Sequence, residues 1–301
     1  MRIAANGIEI EYELHDAAAG EPGQRAAPML FIMGLGMQLT AWPDELLKAL
    51  GDKGFRPITF DNRDIGWSTK FDAAGVPNMW VAGMQHALGL SIRAPYLLAD
   101  MANDALGLLD ALKISKCHIV AASMGGMIAQ HLAASAPERV ASLSLIMTTS
   151  GARGLPGPTM QARRALLSRP ASGEVEARIA HAMAIWRVIG SPGYPASDAG
   201  LRAKVERGIR RSYYPPGVAR QLVAVLASGD RTPLLPRISA PTVVLHGRAD
   251  PLVPVACGID LAQKIPGATI ELFDGMGHDM PAALIPRLAG LIAANARQAA
   301  V

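Results

Sequence analysis

Val120-Ala121-Ala122-Ser123-Met124-Gly125-Gly126 is the stretch from which the fold can be read. The apolar run Cys117-His118-Ile119-Val120-Ala121 leads into it, and an apolar-periodic segment, Met127 to Ala136, follows. That order predicts a strand, a sharp turn and a helix, with one hydroxyl at the apex. So tight a turn strains the serine backbone and pushes its oxygen out of the sheet. Large side chains two positions before or after the serine would collide with the neighbouring strand and helix. The usual pattern is G-x-S-x-G; here it reads Ala121-x-Ser123-x-Gly125, and alanine keeps the departing position small.

A serine hydroxyl is a poor nucleophile at neutral pH, so it needs a base to take its proton and an acid to orient that base. Candidates occur downstream in the order Ser, Asp, His. The strand-like Thr242-Val243-Val244-Leu245 runs into the loop His246-Gly247-Arg248-Ala249-Asp250-Pro251. A second strand, Thr269 to Phe273, runs into Asp274-Gly275-Met276-Gly277-His278-Asp279. Ser123, Asp250 and His278 are thus each expected just past the carboxyl end of a strand, the edge where open α/β sheets form ligand sites.

Of seven histidines, only His278 stands in a glycine-flanked loop after the last strand. His15 falls in an N-terminal strand, and His86 and His181 in segments without clear pattern. His118 lies inside the strand before Ser123, and His131 two turns into the next helix. His246 ends a strand, where a structural hydrogen bond would explain it as well as chemistry does. Asp250 is favoured as the acid over Asp274 and Asp279, which read as turn formers, and over Asp230 in a Ser228-Gly229-Asp230 turn. Acyl transfer also needs backbone N–H groups aimed at the developing oxyanion. Met124, directly after the serine, should supply one. Leu35, in the loop Met33-Gly34-Leu35-Gly36-Met37 after the strand Pro28 to Ile32, should supply the other.

With these residues assembled, the chain resembles the α/β-hydrolase superfamily, and within it bacterial esterases related to aclacinomycin methylesterase and to lipase/esterase G-type proteins. The segments that carry the resemblance are Phe31 to Gly36 with Trp42-Pro43-Asp44-Glu45, Phe60 to Ser68, Tyr96 to Ala105, the serine turn, His246 to Pro251, and Gly277-His278-Asp279. Many relatives carry His-Gly where this chain has Met33-Gly34. The resemblance implies a serine ester hydrolase working through an acyl-enzyme on small to medium apolar esters. The same machinery could act on a lactone, an amide or a carbon–carbon bond, or persist in a non-catalytic ligand receptor.

Composition agrees with one large α/β unit. The chain has 301 residues, of which 50% are hydrophobic and 18% charged, enough apolar material for a sizeable core. Two cysteines cannot build a disulfide framework, and a reducing cytoplasm is the simplest expectation. Met1 to Ile10 lacks the apolar stretch of a signal peptide and reads as two strands around an Asn6-Gly7 turn. No run is long and apolar enough to span a membrane. The net charge of +4 forms no basic stripe, which argues against nucleic acid, and no Cys/His cluster has metal-ligand spacing. The expected partner is a small-molecule ester, with no cofactor, and the chain a monomer or homodimer.

Strands are expected at about 3–5, 8–14, 28–32, 56–60, 117–121, 141–147, 242–246 and 269–273, and helices at about 40–53, 97–112, 124–136, 255–264 and 283–297. This predicts a mostly parallel eight-stranded sheet flanked by helices. Between Thr149 and Arg237 strand-like runs stop, and prolines and glycines punctuate short helical patterns. The expected division is a core of 1–148 and 238–301 with a helical cap, 149–237, inserted after the sixth strand. Met160, Met183 and Trp186 in the cap, and Met79 and Trp80 in an apolar insert from Val76 to Leu90, are candidate substrate-wall residues, although such residues are also what the cap's own core would require. Asp61 and Arg63 are expected to tie together the turn after the fourth strand.

Overall fold

The computed structural model describes residues 1–17 and 26–299. Eight strands appear in chain order: β1 (Arg2–Ala5), β2 (Ile8–Leu14), β3 (Ala27–Ile32), β4 (Phe55–Phe60), β5 (Cys117–Ala122), β6 (Val140–Ile146), β7 (Thr242–Gly247) and β8 (Thr269–Phe273). They form one sheet in the order β1-β2-β4-β3-β5-β6-β7-β8. β2 runs antiparallel to both β1 and β4, and every pair from β4 to β8 is parallel. Ten α-helices accompany it among the described residues: α1 (Asp44–Gly51), α2 (Met79–Ala87), α3 (Leu98–Ala111), α4 (Met124–Ser135), α5 (Met160–Leu167), α6 (Val175–Ile189), α7 (Asp198–Arg211), α8 (Pro215–Ser228), α9 (Val255–Lys264) and α10 (Ile285–Ala296).

The strand period of two divides the core. On β3, Leu30 and Ile32 face the apolar layer shared with α3, α4 and α9, while Met29 and Phe31 face the layer shared with α1 and α10. On β5, Ile119 and Ala121 join the first layer, and Val120 and Ala122 the second. The central strands are mainly apolar on both faces because helices cover both. No helix among the described residues is long and apolar enough to cross a membrane.

The stretch between β6 and β7 carries α5 to α8 and no strand. α6 and α7 share a small core of Ile179, Met183, Leu201 and Val205. Two buried polar ties hold this segment to the sheet. Arg220 on α8 forms two hydrogen bonds to Asp64, at 2.7 and 2.8 Å, and Gln221 donates to the Arg63 carbonyl at 2.8 Å. The turn after β4 is indeed tied by Asp61 and Arg63. Asp61 accepts from the Leu39 and Trp67 amides and pairs with Arg211 at 2.7 Å. Arg63 forks onto Asp104 on α3. The apolar insert 76–90 contains a helix that the sequence pattern did not announce: α2, started by the Asn78 side chain accepting from the Trp80 and Val81 amides.

Candidate active site

Ser123 lies between the end of β5 and the first turn of α4, with φ 55° and ψ −122°. An L-residue in this region is strained, and the surroundings hold it there. Its amide donates to the Ile146 carbonyl at 3.0 Å, and its own carbonyl accepts from the Thr148 hydroxyl at 2.6 Å. Gly125 is required by space, since a Cβ there would stand 2.0 Å from the Ile32 carbonyl oxygen. Ala121, by contrast, is fully buried without conflict, its methyl being part of the core. The departure from glycine two residues before the serine leaves the turn intact.

Asp250 follows β7. One carboxylate oxygen accepts from the Leu252 and Val253 amides, each at 2.8 Å. The other lies 2.7 Å from Nδ1 of His278, and Nε2 of the same ring lies 3.0 Å from the Ser123 hydroxyl. Asp250 and His278 are buried, whereas Ser123 keeps accessible surface. A carboxylate can only accept, so Nδ1 carries the hydrogen on its side and Nε2 presents its lone pair to the hydroxyl when the ring is neutral.

The other histidines serve elsewhere. His246 is fully buried, bonds the Val253 carbonyl at 2.8 Å, and stands 3.8 Å from Asp250. Burial pushes its pKa down, which keeps it neutral beside that carboxylate. His118 pairs with Ser142 at 2.9 Å within the sheet, and His15 lies just past β2 against Thr59 at 2.9 Å. His131 is half-buried on α4, and its pKa is depressed to about 4 by burial and then by Arg231. His86 is exposed on α2, and His181 contacts Ser168.

The loop after β3 runs against the serine. A Cβ on Gly34 would stand 3.0 Å from the Ser123 Cβ and 3.5 Å from its Oγ, so glycine permits this approach. The loop turns through the Met37 amide to the Gly34 carbonyl at 3.2 Å, and Gln221 on α8 accepts from the Gly36 amide at 2.9 Å. The amides of Leu35 and Met124 donate to no protein acceptor among the described residues.

The carboxylates set aside on sequence grounds lie elsewhere. Asp274 is exposed and pairs with Arg248, and Asp230 accepts from Thr232. Asp279 is more than a turn former, because it accepts from Ser191 in the segment after α6, 88 residues away. The Ser191 hydroxyl also accepts from the Gly277 amide at 2.9 Å, and the His278 amide donates to the Ile189 carbonyl at 2.7 Å. The inserted helices therefore hold the histidine loop directly.

The five suggested wall residues separate. Trp80 and Met160 are 88% and 63% exposed, and Met79 is half-buried on α2. Met183 is in the α6–α7 core. Trp186 packs on that core, with the Lys204 ammonium 4.4 Å from the centre of its ring. Among the described residues, no three His, Cys, Asp or Glu side chains are placed to hold a metal ion.

A family model described as alpha/beta hydrolase fold matches residues 27–183, more than half of the chain. The chain belongs to the α/β-hydrolase family. Named relatives match over nearly their whole length. The rhodomycin D methylesterase DauP of Streptomyces sp. (strain C5) is 29% identical over 97% of both chains. A putative carbamate hydrolase, RutD, of Variovorax paradoxus is 30% identical over 90% of both. In the solved structures, a meta-cleavage product hydrolase from Pseudomonas fluorescens superposes with a TM-score of 0.75 at 20% identity, covering 99% of this chain and 97% of that one. The α/β-hydrolase fold and a hydrolase class follow from these likenesses.

Proposed function

We propose that the protein is a serine carboxylic ester hydrolase in which Ser123 is the nucleophile, His278 the general base and acid, and Asp250 the group that orients His278. The continuous 2.7 Å and 3.0 Å chain from Asp250 through His278 to Ser123 carries this reading. His278 takes the Ser123 proton through Nε2 as the oxygen attacks the ester carbonyl. The resulting imidazolium is stabilised by Asp250, whose second oxygen is already held by two amides. The unpaired amides of Leu35 and Met124 receive the negative charge on the former carbonyl oxygen, with the N-terminus of α4 adding its positive end. His278 then protonates the leaving alcohol. Water enters, gives its proton to His278 and attacks the acyl-enzyme, and the acid product leaves as Ser123 regains a proton.

Residues 149–237 act as a cap over this rim in the proposal, supported by the contacts from Ile189, Ser191 and Gln221 to the loops beside Ser123. Small to medium apolar esters are the proposed substrates, in line with the methylesterase relative. The carbamate hydrolase relative favours a second reading, in which the same residues act on a carbamate. A cytoplasmic setting fits two buried, unpaired cysteines.

Incubation with a fluorophosphonate should label Ser123, identified by peptide mass mapping. Purified protein should turn over short p-nitrophenyl esters, and Ser123→Ala should lose both responses while keeping its Tm. Labelling elsewhere, or undiminished turnover by Ser123→Ala, would overturn the assignment. Faster turnover of a carbamate than of the matched ester would favour the second reading.

A further inference from the structure

We infer that Lys204 forms an anion subsite beside Ser123, so that the preferred ester carries a carboxylate at the far end of an otherwise apolar chain; this rests on the esterase reading above and narrows its substrate class. Helical spacing divides α7 into two faces. Leu201, Val205 and Ile209 pack toward α6. Lys204, Gly208 and Arg211, at i, i+4 and i+7, lie on another face. The Gly208 carbonyl accepts from Gln38 Nε2 at 2.7 Å, and Arg211 donates to Gln38 Oε1 at 2.6 Å. Gln38 ends the Gly34–Met37 loop that abuts Ser123. α7 is thereby fixed, one turn beyond Lys204, over one border of the serine.

The opposite border is the His278 loop. The Lys204 ammonium stacks on Trp186, 4.4 Å from the ring centre. Trp186 in turn lies one turn before Gly190, where a Cβ would stand 3.4 Å from Asp279 Oδ2. The ammonium is thereby linked through Trp186 to the His278 loop and, one helical turn on through Gly208, to the Gly34–Met37 loop. It makes no ion pair or hydrogen bond among the described residues, unlike Arg202 and Arg210 on the same helix, which both pair with Glu206.

Desolvation lowers the Lys204 pKa and the field of Asp279 partly restores it, while the residue as a whole is exposed. The ammonium therefore has protein on its Trp186 and Asp279 side and solvent on the other. Asp279 is the one carboxylate acting on it, and its oxygen is engaged by Ser191. An unpaired, partly desolvated ammonium on an aromatic ring gains most from a second carboxylate brought in by the substrate.

The test compares monomethyl dicarboxylates of four to eight carbons with the methyl esters of monocarboxylic acids of equal length. Wild-type, Lys204→Met and Lys204→Arg proteins are followed by pH-stat. The ratio of kcat/KM, acidic over neutral ester, should fall about 10- to 100-fold in Lys204→Met. The loss should lie mainly in KM, and Lys204→Arg should recover much of it. An unchanged ratio at every chain length would overturn the subsite, because a merely structural lysine would lower both esters together. Calorimetric binding of the monomethyl dicarboxylates to Ser123→Ala, with and without Lys204→Met, separates the two readings. Lys204-dependent binding without turnover by the wild type would overturn the esterase reading and retain the anion site. Equal affinity in both proteins would overturn the anion site whether or not esters are hydrolysed.

Discussion

Nε2 of His278 stands 3.0 Å from the hydroxyl of Ser123, although 155 residues separate them in the chain. The imidazole is aimed by Asp250 from its other side at 2.7 Å. Replacing Asp250 by Asn keeps the shape but places an amide where the ring needs an acceptor, which favours the wrong tautomer. Asp250→Asn should lower kcat on short esters by about 10⁴-fold with little change in KM or Tm. Steady-state kinetics with thermal melting checks this.

Asp64 and Arg220 are both at or below 1% exposed and join the turn after β4 to α8. Burial alone would raise the Asp64 pKa, but hydrogen bonds from Arg220, the Phe71 amide and Tyr96 hold it below the ordinary carboxylate range. Removing the guanidinium strands a buried charge, which costs about 3–5 kcal/mol. Arg220→Met should therefore lower Tm by roughly 10 °C. Combining it with Asp64→Asn should recover part of that loss, as read by calorimetry.

Gly125 and Ala121 flank the serine two positions away yet differ in tolerance. Gly125→Ala would drive a methyl into the Ile32 carbonyl, and it should cost about 3 kcal/mol or yield insoluble protein. Ala121→Gly removes only a packed methyl and adds chain entropy, for about 1–2 kcal/mol. It should leave ester turnover within about twofold of wild type. Denaturant melts of both variants test the contrast.

Burial lowers the pKa of His118, His131 and His246. A histidine depressed in the folded state binds fewer protons there than in the unfolded chain. Its contribution to stability is present above the unfolded value near 6.5 and is lost as pH falls through the folded value. Tm should therefore drop between pH 6.5 and about 4, the His131 value. His131→Gln should flatten that drop, measured by melting across the range.

The strand–turn–helix around Ser123 and the order Ser, Asp, His were legible in the chain because each depends on neighbours in sequence. The apolar runs of β5, β7 and β8 and the small residues at 121 and 125 dictate local backbone, and local backbone decides which end of a strand a side chain occupies. The pairing of β2 with β4, the Asp64–Arg220 tie, the Ser191–Asp279 contact and the position of Lys204 over Trp186 had no such signal. Each joins segments far apart in sequence, and their partners are selected by the three-dimensional packing of α6, α7 and α8 onto the loops after β3, β4 and β8. Periodicity within α6 marks Met183 and Trp186 as apolar, but it cannot say which of the two a neighbouring helix will cover. That was decided only when α7 packed alongside α6, burying Met183 in their shared core and leaving Trp186 beneath the Lys204 ammonium.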